Sequence, residues 1–165
     1  MKKSARVLTD DDVTIFRALR LEGLTNNPEA FGASLLREQD HDDDHFREIL
    51  SDNVVVGGFL DGQLVGMAGL RGLTHPKLAH KCHLWGVYVT EAHRGSGIAA
   101  QVVDAVTEHA EGDYEIIHAR VVATNGRARR FFDRMGFKLY GVERRAIKVD
   151  GEYFDEEMRA KFLVV

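Results

Sequence analysis

The chain has 165 residues with 22 basic and 26 acidic side chains, giving a formal charge of −4 and a pI near 6.1. That length suits one domain with a substantial interior, and a composition 44% hydrophobic and 29% charged excludes a largely disordered chain. The net acidity is the wrong sign for a general nucleic-acid binder, and apolar runs such as Val54-Val55-Val56 fall far short of the ~20 residues of a membrane helix.

Met1-Lys2-Lys3 leads into polar residues with no apolar signal segment, which predicts a cytoplasmic protein. The lone cysteine, Cys82, excludes an intramolecular disulfide framework and an all-cysteine zinc site.

Taken in chain order, residues 6–8 predict a first strand. Thr9-Asp10-Asp11-Asp12 reads as a capping box, with Leu8 and Val13 as its hydrophobic staple. A helix over 10–24 follows, with Ile15, Phe16 and Leu19 on its apolar side, and a second over 42–50, whose aspartates suit the positive end of the helix dipole. Residues 54–60 and 63–70 flank Asp61-Gly62 and predict a hairpin.

After a loop with His75-Pro76, the aromatic and β-branched run 82–89 reads as a central strand. Helical spacing over 97–110, strand composition over 115–123, a helix over 127–135 and a final hairpin, 138–149 and 152–162 around Asp150-Gly151, complete the chain. The order βααββ, βαβα, ββ predicts a single α/β domain with a mixed, mostly antiparallel sheet of about seven strands and about four helices.

Chemistry concentrates where strand 82–89 turns into helix 97–110. Arg94, Gly95, Ser96, Gly97, Ile98 and Ala99 place glycines and a cation at a helix N-terminus, whose backbone N–H groups and dipole favour an anion. A pyrophosphate is the natural guest. The loop lacks the Gly-Lys-Ser/Thr ending of a P-loop and the G-x-G-x-x-G spacing of a dinucleotide fold.

This loop resembles the R/Q-x-x-G-x-G/A signature of the GNAT superfamily, the acyl-CoA-dependent N-acetyltransferases. The resemblance extends to the preceding strand Leu84-Trp85-Gly86-Val87-Tyr88-Val89. It continues to Asn125, Ala128, Phe132, Gly136 and Phe137, which fit the family's N-x-x-A-x-x-x-Y-x-x-x-G-F pattern except at Phe132. Residues 29–34 and 145–151 also resemble segments common in the family, so the likeness covers essentially the whole chain.

The resemblance implies a sheet splayed between its fourth and fifth strands, with Gly86 at the bulge where the splay begins. It further implies acetyl-CoA as cosubstrate and no metal. The backbone of Val87, Tyr88 and Val89 would pair with the pantetheine arm, the Arg94–Ala99 loop would hold the pyrophosphate, and Asn125, Ala128 and Phe132 would complete the cofactor site.

Direct acetyl transfer requires that an amine lose a proton, that the thioester oxygen be stabilised, and that the thiolate leave. Relatives usually place a tyrosine acid where this chain has Phe132, which cannot donate a proton. Protonation of the leaving group by water, by Tyr88 or Tyr140, or not at all, is compatible with a thiol pKa of about 8.5. His83, on the splayed strand, is the first candidate base and Glu38 the second. His83 also has a plain structural reading, as a hydrogen-bonded, half-buried strand residue.

His41 and His45, four apart, read as part of a solvated helix start and Cys82 as a buried thiol. Trp85 shares a face with His83 and reads equally as pocket wall or core. The leading function is N-acetyl transfer to a primary amine, small or protein-borne. An acyl-CoA-binding sensor that has lost catalysis is the alternative. An exposed terminal strand permits a homodimer, with no nucleic-acid or membrane partner expected. Residues 38–52 carry seven acids and one arginine, and residues 127–145 seven bases and two acids, which predicts that the basic segment faces CoA phosphates and the acidic one draws the amine.

Overall fold

The computed structural model describes residues 1–164. Both Asp-Gly pairs form tight hairpins, with Asp61 and Gly62 at φ 47° and 85° and Asp150 and Gly151 at φ 49° and 83°. Two successive positive φ values match the twist of the flanking strands. The first turn joins β2 (Val54–Leu60) to β3 (Gln63–Gly72), and the second joins β6 (Lys138–Val149) to β7 (Glu152–Phe162).

The other elements are β1 (Lys3–Val7), α1 (Val13–Asn26), α2 (Leu35–Glu38), α3 (Asp43–Asp52), β4 (Lys81–Val89), α4 (Ile98–Ala110), β5 (Ile116–Val122) and α5 (Gly126–Arg134). Among the described residues five α-helices therefore stand where about four are expected. The addition is α2, four residues long and too short to show a helical period. The helix expected from residue 10 starts with a 3-10 turn, Asp10–Asp12, before α1. Asp12 accepts from the Thr9 N–H at 2.8 Å and from Arg6 at 2.7 and 2.8 Å. Arg6 above all holds its carboxyl down at about 2.

The strands form one sheet in the order β1-β2-β3-β4-β5-β7-β6. All neighbours are antiparallel except β4 and β5, which the α4 crossover makes parallel. One face packs against α4 through Ile98, Val102, Val103 and Val106, with Val56, Val65 and Ala68 from the sheet. The other packs against α1 and α3 through Phe16, Leu19, Phe46 and Leu50, with Val55, Phe59 and Met67. Two buried layers on a central sheet leave β4 covered on both sides and fix where it can open.

Candidate active site

β4 and β5 pair over three positions, Lys81 with Ile116, Cys82 with Ile117 and His83 with His118. Beyond His83 they part. At the same place the β3–β4 register shifts, so that Gly86 and Val87 together face Ala68, and Gly86 sits at φ 62°. A side chain is strained in that conformation, so glycine permits the bulge. β5 stays paired with β7 along its whole length. The opening is therefore made by β4 leaving its neighbour.

A cavity of about 480 Å³ occupies the opening. Every residue expected to hold the cofactor lines it: Val87, Tyr88 and Val89 from β4, the loop residues Arg94, Gly95, Ser96, Gly97, Ile98 and Ala99, and Asn125, Ala128 and Phe132 around α5. Gly95 and Gly97 lie at φ 79° and 87°, and the first turn of α4 directs unpaired N–H groups to this loop.

Arg94 donates from Nη2 to Asn27 Oδ1 at 2.9 Å and from Nε to the Val89 carbonyl at 3.4 Å, which ties the loop to the end of α1. Sequence reasoning missed Asn27 and Ala30 in this wall, because only folding brings the α1 end beside the α4 start. Arg127 and Arg134 also line the cavity, whereas Arg130 does not appear in its wall.

Asn125 caps α5, its Oδ1 accepting from the Ala128 N–H at 3.1 Å. Phe132 is 6% exposed and meets Phe131 and Phe137 edge-on, with ring centroids 5.3 and 5.4 Å away. Both tyrosines considered as proton donors hold their hydroxyls in hydrogen bonds. Tyr88 donates to Glu22 at 2.9 Å and accepts from Asn26 at 3.4 Å, and burial, more than any other cause, pushes its pKa up. Tyr140 is 55% exposed and bonds His118 Nδ1 at 3.0 Å.

A second cavity, about 660 Å³, lies on the other side of the bulge. It is lined by His83, Trp85 and Gly86 of β4, by Arg20, Phe31 and Ala33 from the α1–α2 region, and by residues of β5, β6 and β7. Ala30 lines both cavities. A bulge in β6, where Arg145 takes φ 53° and its N–H donates to Asp155 Oδ1 at 2.8 Å, carries Ala146, Ile147 and Lys148 into the wall. His83 meets His118 edge-on at 5.7 Å. Burial first, then the charges of Arg120, Arg71 and Lys81, lower the His83 pKa below its ordinary 6.5. The imidazole is therefore neutral at pH 7 and able to accept a proton.

Glu38 is placed differently from its expected role. It is 7% exposed and lines neither cavity. Its two oxygens accept from Arg20 Nε and Nη2 at 2.6 Å each. A carboxylate held at both oxygens by a guanidinium forms a bidentate, charge-assisted pair, so the geometry makes it a support for Arg20.

The acidic run is also displaced: no residue of 38–52 lines either cavity, and Asp42, Asp43 and Asp44 instead surround Arg17 and Arg47. Cys82 is buried, its Sγ donating to the Ile116 carbonyl at 3.6 Å, and burial pushes its pKa up to about 12. His41 and His45 stack at 4.0 Å.

The family model described as Acetyltransferase (GNAT) family matches residues 21–137. Among curated proteins, L-2,4-diaminobutyric acid acetyltransferase of Streptomyces anulatus is 28% identical over 93 residues, covering 55% of this chain and 53% of that protein. The probable N-acetyltransferase YjcK of Bacillus subtilis is 26% identical over 102 residues, covering 61% and 55%. The chain spans about half the length of the curated relatives it matches.

Among solved structures, a GNAT-family acetyltransferase from Streptococcus pneumoniae superposes with TM-score 0.87 at 15% identity, covering 98% of this chain and all of that one. The ribosomal-protein-alanine N-acetyltransferase of Brucella melitensis gives 0.85 at 22%, covering 97% and 99%. The yncA protein of Salmonella typhimurium, solved with its cofactor acetyl-CoA, gives 0.85 at 15%, covering 98% and 94%. At such identities the likeness is one of fold.

Proposed function

The chain belongs to the acetyltransferase (GNAT) family, and on that premise we propose that it transfers the acetyl group of acetyl-CoA directly to a primary amine bound beside it. The observation that carries this reading is the pair of cavities flanking β4, one along Val87, Tyr88 and Val89 and one at His83, which share Ala30.

The first cavity suits acetyl-CoA. Its glycine loop and helix start face phosphates, Arg94, Arg127 and Arg134 supply positive charge, and the β4 edge freed by the splay offers backbone groups to the amides of the pantetheine arm. In the second cavity the amine nitrogen attacks the thioester carbonyl, a backbone N–H near Val87 stabilises the oxyanion, and the C–S bond breaks to release CoA as thiolate. The proton lost by the amine passes to neutral His83, directly or through water. Phe132 packs beside the thioester and donates nothing, so the thiolate leaves unprotonated or takes a proton from water. Glu38 has no place in proton transfer.

Thiol release from acetyl-CoA over a panel of primary amines tests this. Saturable release with at least one amine supports transfer. CoA binding without transfer to any amine supports the alternative that Phe132 suggests, an acyl-CoA-binding module without catalysis. A rise in melting temperature with ATP or NAD but not with acetyl-CoA would reject both.

A further inference from the structure

Arg20 is 6% exposed and forms part of the wall of the second cavity. Its side chain offers five N–H groups in a rigid fork. Glu38 occupies one edge, at 2.6 Å to Nε and to Nη2. The remaining nitrogen, Nη1, is buried and has no partner among the described residues. The Nε1 of Trp85, whose ring lies 5.3 Å from the Arg20 guanidinium carbon, is likewise buried and without one.

Buried donors left unpaired are costly and uncommon in native proteins, and these two adjoin the same cavity. Gly86 keeps this spot free of a side chain: a Cβ built there would have Arg20 Nη1 and Phe31 as its nearest neighbours, each at 4.0 Å. Arg20, Arg120, Lys148 and Glu156 line the cavity; Arg20 pairs with Glu38 and Arg120 with Glu143 and Glu156, which leaves Lys148 as the cation of the wall outside an ion pair among the described residues.

We propose that the acceptor carries a carboxylate beside its amine, as a free amino acid does, and that Arg20 at the cavity floor anchors that carboxylate through Nη1. Glu38 is then a positioning residue: its two hydrogen bonds turn the guanidinium so that the unused edge faces Gly86. The absence of a side chain at Gly86 admits the carboxylate oxygen. This assignment rests on the acetyl-transfer reading and names the substrate class of the same site.

The test compares free α-amino acids with their carboxamides and their decarboxylated amines as acceptors, by kcat/KM for thiol release. The wild-type protein prefers the best acid over its two partners by about tenfold or more, the scale of a charge-assisted hydrogen bond. The double substitution Arg20→Gln with Glu38→Gln, which leaves no unpaired buried charge, brings that ratio close to one. Retained stabilisation by acetyl-CoA shows that the variant is folded.

A wild-type protein that uses carboxamides or decarboxylated amines as well as acids overturns the proposal, as does a folded double variant that keeps the preference. If no amine is acetylated, the transfer reading fails, and melting temperature with CoA present decides the pocket separately. N-acetyl amino acids raising it more than their carboxamides would uphold the carboxylate site, and equal shifts would reject it.

Discussion

The slot along Val87, Tyr88 and Val89 and the cavity at His83 lie against the same strand but are made of different materials. The slot is organised around a backbone feature, with positive-φ glycines at 95 and 97 and a helix start, and most of its wall comes from residues 87–100 and 125–134. The cavity at His83 is lined by residues gathered from α1, β4, β5, β6 and β7. Backbone geometry can recognise a cosubstrate that is the same throughout a family. Side chains can be exchanged without disturbing the sheet, which suits the partner that varies.

If the two regions divide the work in this way, changes in one should leave the signature of the other intact. The largest effect is expected for His83→Gln, with kcat lower by roughly 10²–10⁴, the usual worth of a general base, and KM for acetyl-CoA little changed. Because the folded-state pKa of His83 is depressed, the wild-type rate should hold as pH falls to 6.5 and decline only below it, as the imidazole protonates. A pH–rate profile of the variant that keeps this acid limb would remove His83 from the role.

Gly97→Val should act on the other side. Gly97 sits at φ 87°, and a Cβ there would come 3.3 Å from Lys3 Nζ. Strain of ~1–3 kcal/mol is expected to weaken acetyl-CoA binding about tenfold by calorimetry, with the ranking of amine acceptors unchanged. An altered ranking would show that the two cavities are not separable. The smallest effect belongs to Phe132→Tyr, which should keep or modestly raise acetyl transfer in the thiol-release assay. A severe loss with the fold intact would show that the slot needs an apolar ring beside the thioester.

Much of the architecture could be read from the chain because its signals are local. Asp61-Gly62 and Asp150-Gly151 each specify a turn within two residues, and the apolar spacing over 97–110 marks α4 without reference to anything distant. The loop from Arg94 to Ala99 is equally self-contained, whereas Val87 to Val89, Asn125, Ala128 and Phe132 were placed in the slot by the family resemblance. The bulge at Gly86 was what the family resemblance implied, and a glycine within a strand suits such a bulge.

Local sequence alone thus determined the order of elements, the hairpins and the phosphate-suited loop, while the family resemblance supplied the place where β4 leaves β5. Tertiary structure decided where Glu38 sits. Nothing within a few residues of it indicates that Arg20, 18 positions earlier, will meet both its oxygens in the interior. It also decided that the acidic run faces Arg17 and Arg47 rather than either cavity, and that Tyr88 spends its hydroxyl on Glu22. Turns, caps and helix starts follow from dihedral preferences and hydrogen bonds between near neighbours. The partner of a side chain across the core depends on how whole elements pack, and no short window of residues contains that information.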